Sequence, residues 1–505
     1  MSKQSKNFKL RPAGVALPVA SLPSRYGIGD FGPAAKKWID WLVTARQRYW
    51  QILPLTIPDS LGSPYASSSA MAGNWLLISP ENLAAAGLLP RRYRRPWSSP
   101  ASRINYRLVT TWKRSILKLA WRQFLRRGTR PQHQAWITYQ RLNRSWLGDF
   151  CLYQAIKDWQ RGKPWWRWPA AWRRYPGPAI KPQYIQRGIA FHQFVQWQWH
   201  EQWQSIRRYA HRRGIKIIGD IPFYVPHDSV DVWAHPDLFD LNRTGWPNHV
   251  AGVPPDRFAC DGQRWGEPVY HWAAHQHSKF HWWRRRWQQA RARYDLIRFD
   301  HFVGLVSTWH IPARAKTART GQWVQTPGRE LLNALRRDDP SLPLIAEDLG
   351  HQTDAVAKLR QHFHVHGSRI MEFGWSGTPD NPHAPWRVTK DTVYMTSNHD
   401  LPPLQHWWRT EATAAERQLV KNHFRSGASP TLSDWMTDLY RTPAAIAIVP
   451  VQDILRLSSK SRINRPGTKR GNWQWRLPPR LINKNTANNL KKLITTSGII
   501  KSEQK

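Results

Sequence analysis

The sequence is poor in cysteine and lacks long apolar runs. Only Cys151 and Cys260 occur among 505 residues, too few for a disulfide framework and without the spacing of a cysteine-ligated metal site. No segment approaches the ~20 apolar residues that a membrane-spanning helix needs. The basic N-terminus is not followed by an apolar segment with a cleavage site, so no secretory signal is predicted. We therefore expect a soluble, cytoplasmic protein with no membrane span.

Acidic residues are also scarce. The chain has 33 Asp and Glu against 76 Lys and Arg, which gives a formal net charge of +43. A strongly basic surface favours nucleic acid or anionic membranes as partners. Here, however, the basic residues are spread along the chain, and no finger, basic zipper or RNA-recognition motif accompanies them. We therefore expect no specific nucleic-acid partner.

Short apolar runs that end in a polar residue recur along the chain. They occupy residues 49–54, 215–220, 295–300, 342–348 and 392–400. Helical patterns separate them, for example at 32–45 and 191–212. Strands that alternate with helices and end in carboxylates are typical of an α/β fold with a closed parallel sheet. The prediction is a (β/α)8 TIM-type barrel with helical insertions.

The chain length suits one elaborated barrel, so residues 1–505 are taken as a single catalytic unit. Residues from about 79 to 209 are too many for one strand-to-helix step. They contain helical patterns at 109–125 and 135–160, and we predict a mostly helical insertion subdomain. Residues from about 485 to 505 are expected to form a C-terminal helix and tail.

Carboxyl groups at predicted strand ends are the candidates for chemistry. They are Asp220, Asp300, Glu347 and Asp400. Glycoside transfer with retention of configuration needs two carboxyl groups about 5 Å apart, one to attack the sugar and one to protonate the leaving oxygen. Each residue alone is also compatible with an ordinary polar strand end.

Asp300 is the strongest candidate for the nucleophile. Residues two apart in a strand point the same way, so Arg298 and Asp300 share a face. A guanidinium beside a carboxylate favours its ionised form, which a nucleophile requires. Taken alone, the pattern is equally compatible with a buried structural ion pair.

Glu347 is the candidate general acid because it ends an apolar strand. Desolvation there and the charge of Asp300 are expected to raise the pKa of its carboxyl group. Asp348 points to the other face and is expected to be structural. His399 and Asp400 end another strand, where they are placed to hold two neighbouring hydroxyls of one glucose unit.

A series of motifs spans nearly the whole chain. They lie at residues 11–32, 50–74 with its Ser63-Pro64-Tyr65 centre, 219–233, 251–272, 298–304, 345–350, 452–453, 462–468 and 472–476. In this order they resemble the motifs of the 4-α-glucanotransferase family, also called amylomaltases or disproportionating enzymes, which is related to the α-amylase superfamily. The resemblance implies an α-amylase-like barrel without a separate β-rich C-terminal domain.

The resemblance also implies catalytic roles. Asp300 matches the family's nucleophile, Glu347 its acid/base and Asp400 its transition-state-stabilising aspartate. Residues that match the lining of the scissile-bond sugar site are Tyr65, Asp220, Arg298 and His399.

A covering loop is implied on the acceptor side. Gln263 and Trp265 match this mobile loop, which belongs to an active-site loop insertion at about 240–285. A lid that excludes water favours a sugar over water as acceptor.

The implied activity is transfer of an α-1,4-glucan segment to the 4-position of an acceptor glucan or glucose, by retaining double displacement without metal or cofactor. Its substrates would be maltooligosaccharides and starch or glycogen-type α-glucans. An α-glucan hydrolase and a low-activity glucan-binding homologue are the alternatives.

The chain departs from the family pattern at several positions. The family usually has Arg where Val303 stands, Tyr near Arg257, Asn near Glu267, and Asn-Asp-Thr at 401–403, where this chain has Leu-Pro-Pro. None of these departures removes a candidate carboxylate. They bear on acceptor binding and on chain-length preference.

Overall fold

The computed structural model describes residues 12–90, 93, 102–178, 181–255, 260–350, 353–425 and 429–496. Strands in these ranges are β1 (Ala13–Ala16), β2 (Tyr49–Gln51), β3 (Lys216–Ile221), β4 (His249–Val253), β5 (Gln263–Pro268), β6 (Leu296–Phe299), β7 (Ser307–Pro312), β8 (Gln322–Gln325), β9 (Leu344–Ala346), β10 (His366–Ile370), β11 (Thr392–Met395) and β12 (Ile446–Pro450). Eight of them close into a barrel in the order β1-β12-β11-β10-β9-β6-β3-β2. All neighbouring pairs are parallel. The predicted (β/α)8 barrel is confirmed.

The strand register brings the polar strand ends together. Asp220 on β3 lies opposite Arg298 on β6, and Phe299 lies opposite Ala346 on β9. Asp300 and Glu347 are therefore the next residues on two neighbouring strands. They lie at the carboxyl end of the barrel, where (β/α)8 enzymes carry their active sites.

Helices surround the barrel and fill the long segment between β2 and β3. The first seven are α1 (Pro33–Thr44), α2 (Pro80–Ala85), α3 (Tyr106–Arg127), α4 (Arg130–Leu142), α5 (Arg144–Trp159), α6 (Ala170–Arg173) and α7 (Gln183–Arg212). The others are α8 (Val230–Ala234), α9 (Trp272–His277), α10 (His281–Arg291), α11 (Gly328–Asp338), α12 (Asp354–His362), α13 (Leu404–His406), α14 (Ala414–Phe424), α15 (Leu432–Arg441), α16 (Val451–Ile454) and α17 (Lys484–Thr496).

The helical pattern at 135–160 is two helices rather than one. Asn143 ends α4 and also precedes α5, with non-helical backbone angles of φ −108° and ψ 12°. Its side-chain amide donates to the carbonyl oxygen of Tyr139 at 2.9 Å, and its side-chain oxygen accepts from the Trp146 indole at 3.1 Å. Asparagine side chains compete with helical hydrogen bonds in this way, and periodicity alone does not reveal the break.

A second, antiparallel sheet combines β4 and β5, from the segment between β3 and β6, with β7 and β8, from the segment between β6 and β9. Its strand order is β5-β4-β7-β8, and Gly252 on β4 lies opposite Arg264 on β5. An ideal Cβ atom at Gly252 would come within 2.1 Å of the Gln263 carbonyl oxygen. The glycine therefore allows β5 to approach β4 closely at the position of Gln263.

Part of the positive charge is internal. Arg286, in the basic run 284–286, is 3% exposed and donates to the carbonyl oxygens of Phe223 and Pro222. Its guanidinium also lies over the rings of Trp282 and Trp283, at 5.2 and 5.1 Å. This arginine supports the loop after β3 and is not part of a basic surface.

The two ends of the described chain meet. β1 pairs with β12, and the Ser21 hydroxyl donates to the Trp475 carbonyl oxygen at 2.9 Å. Beyond β12, residues 451–496 contain helices and one isolated bridge, and no further sheet forms within that range. Arg257 and residues 497–505 of the predicted tail lie outside the described residues.

No helix within the described ranges is both long and apolar enough to cross a membrane.

Candidate active site

Arg298 lies at the centre of the candidate site. It projects from β6, is 6% exposed, and its Nη1 donates to Asp300 Oδ1 and to Asp220 Oδ2, both at 2.8 Å. The expected proximity of Arg298 and Asp300 is therefore present, and Asp220 joins them. One guanidinium fixes two carboxylates from neighbouring strands.

Asp220 is the more deeply buried of these two carboxylates. The Tyr65 hydroxyl donates to its Oδ2 at 2.8 Å, whereas its Oδ1 is buried and makes no hydrogen bond within the described residues. Burial raises the pKa of Asp220 to about 7, against the lowering effect of Arg298. A buried polar atom without a partner is costly, and a sugar hydroxyl would satisfy it.

Glu347 follows β9 and faces the same centre. Its Oε2 accepts a hydrogen bond from the backbone N–H of His301 at 2.8 Å. His301 has a left-handed backbone with φ 52°, which directs that N–H to the carboxylate. Burial raises the pKa of Glu347 to about 7; the charge of Asp300 adds to the rise and Arg298 opposes it. The group therefore exchanges its proton near neutral pH, as a general acid/base requires.

Asp400 follows β11 and is held by a distant segment. The Asn464 side-chain amide donates to its Oδ1 at 2.6 Å, and Arg462 donates to its carbonyl oxygen at 2.5 Å. Its own N–H donates to Asn398 Oδ1 at 2.9 Å. The His399 Nε2 lies 3.4 Å from Asp400 Oδ2, so the two side chains form one polar pair.

An aromatic group lies beside this pair. The Tyr65 and His399 rings stack with centroids 5.3 Å apart, and Trp473 lies 5.8 Å from Tyr65 and 5.9 Å from His399. Burial lowers the pKa of His399, so its ring is neutral at neutral pH and one nitrogen can accept a hydrogen bond.

Gln263 and Trp265 lie on β5, and Trp265 reaches the catalytic centre. Its ring is 38% exposed and lies 5.0 Å from the His301 ring at 84°. Its indole N–H donates to Gln263 Oε1 at 3.1 Å. Trp265 therefore stands next to the residue whose N–H binds Glu347. The expected movement of this segment stays a prediction.

Among the departures from the family pattern, Val303, Pro402 and Pro403 are buried and Glu267 is partly buried. Val303 follows His301 and is 6% exposed. Glu267 on β5 has one carboxylate oxygen that is buried and unpartnered among the described residues, and burial raises the pKa of its carboxyl group.

Sequence patterns assign no role to some of the residues that contact Asp400 and His399. Asn464 and Arg462 bind Asp400, and Trp473 lies against the Tyr65–His399 stack. All three residues belong to the motifs at 462–468 and 472–476. Position in a motif was thus the available signal, but it carried no information about contacts.

The described residues also include side chains of the types that bind metal ions. Within the part of the chain that the structure describes, no group of three or more His, Cys, Asp or Glu side chains could hold a metal ion.

Known proteins resemble this chain over nearly its full length. A family model described as 4-alpha-glucanotransferase matches residues 17–482. The 4-alpha-glucanotransferase of Aquifex aeolicus is 38% identical over 474 residues, which cover 93% of this chain and 96% of that protein. That of Thermus thermophilus is 37% identical over 487 residues, covering 93% and 95%. A solved amylomaltase from Streptococcus agalactiae, in complex with acarbose, matches with a TM-score of 0.91 at 33% identity, covering 97% of this chain and 99% of that one.

Proposed function

The chain belongs to the 4-alpha-glucanotransferase family of glucan-transferring enzymes, and we propose that Asp300, Glu347 and Asp400 perform the transfer by a retaining double displacement. The observation that supports this most directly is the shared centre around Arg298. It combines a carboxylate held by a guanidinium with a second carboxyl group whose pKa is raised to about 7.

In the first step, an Asp300 oxygen attacks the anomeric carbon of the donor glucan. The bond to the glycosidic oxygen breaks, and that oxygen takes the proton of Glu347 as the leaving chain departs. The donor segment is then esterified to Asp300 and Glu347 is ionised. Arg298 stays bound to Asp220 and keeps its charge beside the reacting carboxylate.

In the second step, Glu347 removes a proton from the 4-hydroxyl of an acceptor. The acceptor oxygen attacks the anomeric carbon, and Asp300 leaves as a carboxylate. Two inversions at one carbon give net retention, and the proton returns to Glu347.

The remaining site residues bind sugar in this proposal. The unpartnered Asp220 Oδ1 accepts from a hydroxyl, and the neutral His399 with Asp400 holds a neighbouring pair. Tyr65 provides an aromatic face beside them. Asp400 carries a charge near the oxocarbenium-like carbon and so stabilises the transition state.

Transfer rather than hydrolysis depends on what occupies the acceptor side. Trp265, whose indole binds Gln263, lies against the His301 ring. We propose that these two residues contact the acceptor and reduce access of water to the intermediate. The proposed acceptors are glucans and glucose, and the donors are maltooligosaccharides and starch or glycogen-type α-glucans.

Incubation with maltotriose tests this function. Transfer should give glucose together with maltopentaose and longer chains, resolved by chromatography of the products. Maltose and glucose as the only products would instead identify the α-glucan hydrolase, and no turnover would identify the glucan-binding homologue.

The proposal extends to the organisation of the chain. We propose that residues 79–209 act as a helical insertion subdomain and that 240–285 act as an active-site insertion within one catalytic unit. We also propose a cytoplasmic location and no specific nucleic-acid partner, since internal arginines such as Arg286 account for part of the charge.

A further inference from the structure

Asp453 is a buried carboxylate outside the centre formed around Arg298. It lies in α16, directly after β12, and is 3% exposed. Its Oδ2 accepts from the hydroxyls of Thr396 at 2.6 Å and Ser397 at 3.0 Å. Its Oδ1 accepts from the backbone N–H of Leu404 at 2.8 Å.

These donors lie on both sides of Asp400 in the sequence. Thr396 and Ser397 follow β11, and Leu404 begins α13, so Asp453 holds both ends of residues 396–404. This segment, here called the 396–404 segment, carries His399 and Asp400.

Two prolines determine which residue holds the C-terminal end of the 396–404 segment. Pro402 and Pro403 have no backbone N–H, so Leu404 is the first residue after Leu401 that can donate from its main chain. Pro403 also ends the extended stretch, with φ −57° and ψ 138°, immediately before α13. The hydrogen bond to Asp453 is therefore made by the first backbone N–H after the two prolines.

The residue before Asp453 holds a second segment. Gln452 donates from its side chain to the Ser461 carbonyl oxygen at 3.2 Å, and the next residues include Arg462 and Asn464, both bonded to Asp400. Two residues of α16, just after β12, therefore hold both segments around Asp400. Asp453 binds the 396–404 segment, and Gln452 binds the segment that contains Arg462 and Asn464.

If Asp453 had only a structural role, burying its charge would cost an unusual amount of folding free energy. Burial raises its pKa to about 6, while the two hydroxyls and the Leu404 N–H lower it. Among the described residues, Asp453 has no ion-pair partner, and the nearby carboxyl group of Glu372 has a buried oxygen without a hydrogen bond. A buried charge that only uncharged donors hold is costly to retain.

We propose that Asp453 is a positioning residue for catalysis, which fixes the 396–404 segment so that Asp400 meets the reacting sugar. The inference rests on the proposed function of Asp400. A displacement of about 1 Å at a catalytic group can cost about 100-fold in rate. The loss of these hydrogen bonds should therefore act on turnover more than on ground-state binding.

Asp453→Asn tests the proposal with little change in volume. Asparagine has a single acceptor oxygen and an NH2 group that only donates, so it cannot accept from the Thr396 and Ser397 hydroxyls and from the Leu404 N–H together. We expect kcat for maltotriose disproportionation to fall by about 100-fold, with a smaller rise in KM because the segment also carries the sugar-binding His399. The paired variant Thr396→Val/Ser397→Ala removes the same hydrogen bonds from the other side and should lower kcat in the same way. Combining it with Asp453→Asn should add no further loss, because interacting residues are not additive.

Asp30→Asn is the matched control. Asp30 is also buried, at 1% exposure, and accepts from the Gly32 N–H and the Ser24 hydroxyl; unlike Asp453, it also pairs with the buried Lys113 at 3.8 Å. This variant should lower Tm but leave kcat at 25 °C unchanged. Wild-type kcat in folded Asp453→Asn, or fully additive losses in the combined variant, would overturn the positioning role. Failure of the wild-type protein to disproportionate maltotriose would instead overturn the proposed function.

Discussion

The raised pKa of Glu347 predicts different pH dependences for two donors. Below its pKa of about 7, raised from 4.5, the free enzyme holds the proton that the leaving oxygen needs. As pH rises through 7, that proton is lost and kcat/KM for maltotriose should fall. The protonated fraction is about one tenth at pH 8 and about one hundredth at pH 9. A carboxyl group at 4.5 would place this decline more than two pH units lower.

α-Glucosyl fluoride provides the comparison, since fluoride departs with little protonation. Its kcat/KM should stay nearly constant from pH 6 to 9, so the ratio of the two donors should rise by about 100-fold. The assay is initial-rate kinetics, with fluoride release for one donor and glucose release for the other.

The same structure predicts how Glu347 becomes a base. Once Asp300 is esterified, its charge no longer raises the pKa of Glu347, so the group ionises more readily in the intermediate. Asp220 also titrates near 7, so Asp220→Asn is the control and should retain the decline. An equal decline for both donors, or its loss in Asp220→Asn, would refute the assignment to Glu347.

Four further outcomes are expected. Asp300→Asn should lose activity by several powers of ten on both donors, whereas Glu347→Gln with α-glucosyl fluoride should accumulate a hexose on the Asp300 peptide, visible by mass spectrometry; an adduct on another carboxylate would exclude Asp300 as nucleophile. EDTA should leave the initial rate unchanged, and a large loss restored by a divalent cation would contradict carboxylate-only chemistry. Binding to nucleic acid, measured by fluorescence anisotropy, should be independent of sequence and fall steeply with salt; tight binding to one sequence at physiological salt would contradict this.

The sequence was informative where burial and polarity follow a simple pattern. The five predicted strands are β2, β3, β6, β9 and β11, and four of these runs end at a carboxylate; the run at 49–54 ends at Pro54. β1 was missed because it is short and contains Gly14, whose ideal Cβ atom would lie 2.6 Å from the Tyr49 Cβ atom. Close approach of two strands requires that glycine, yet a glycine weakens any strand prediction.

Contacts between distant segments explain why β10 and the partners of Asp400 were not predicted, whereas β12 is apolar throughout and its omission has no such explanation. β10 reads as polar, but Arg369 is paired with Asp348 at 2.8 Å, and the Ser368 hydroxyl donates to the Ala346 carbonyl oxygen. Likewise, the bond between Asn464 and Asp400 joins residues 64 positions apart. Residue type and periodicity carry no record of such partners. The candidate carboxylates were accessible from sequence because parallel strands deliver their ends to one place.

The closure of the barrel by its first and last strands has a consequence for biosynthesis. The bond from Ser21 to Trp475 spans 454 positions, and a ribosome adding about 5 to 20 residues per second needs roughly 20 to 90 s to cross that interval. Until β12 is synthesised, β1 and β11 lack the neighbour that pairs with both of them. Their free edges can then pair with strands of other chains. Nascent chains of this protein should therefore depend on protection from aggregation until β12 has left the ribosome and paired with β1.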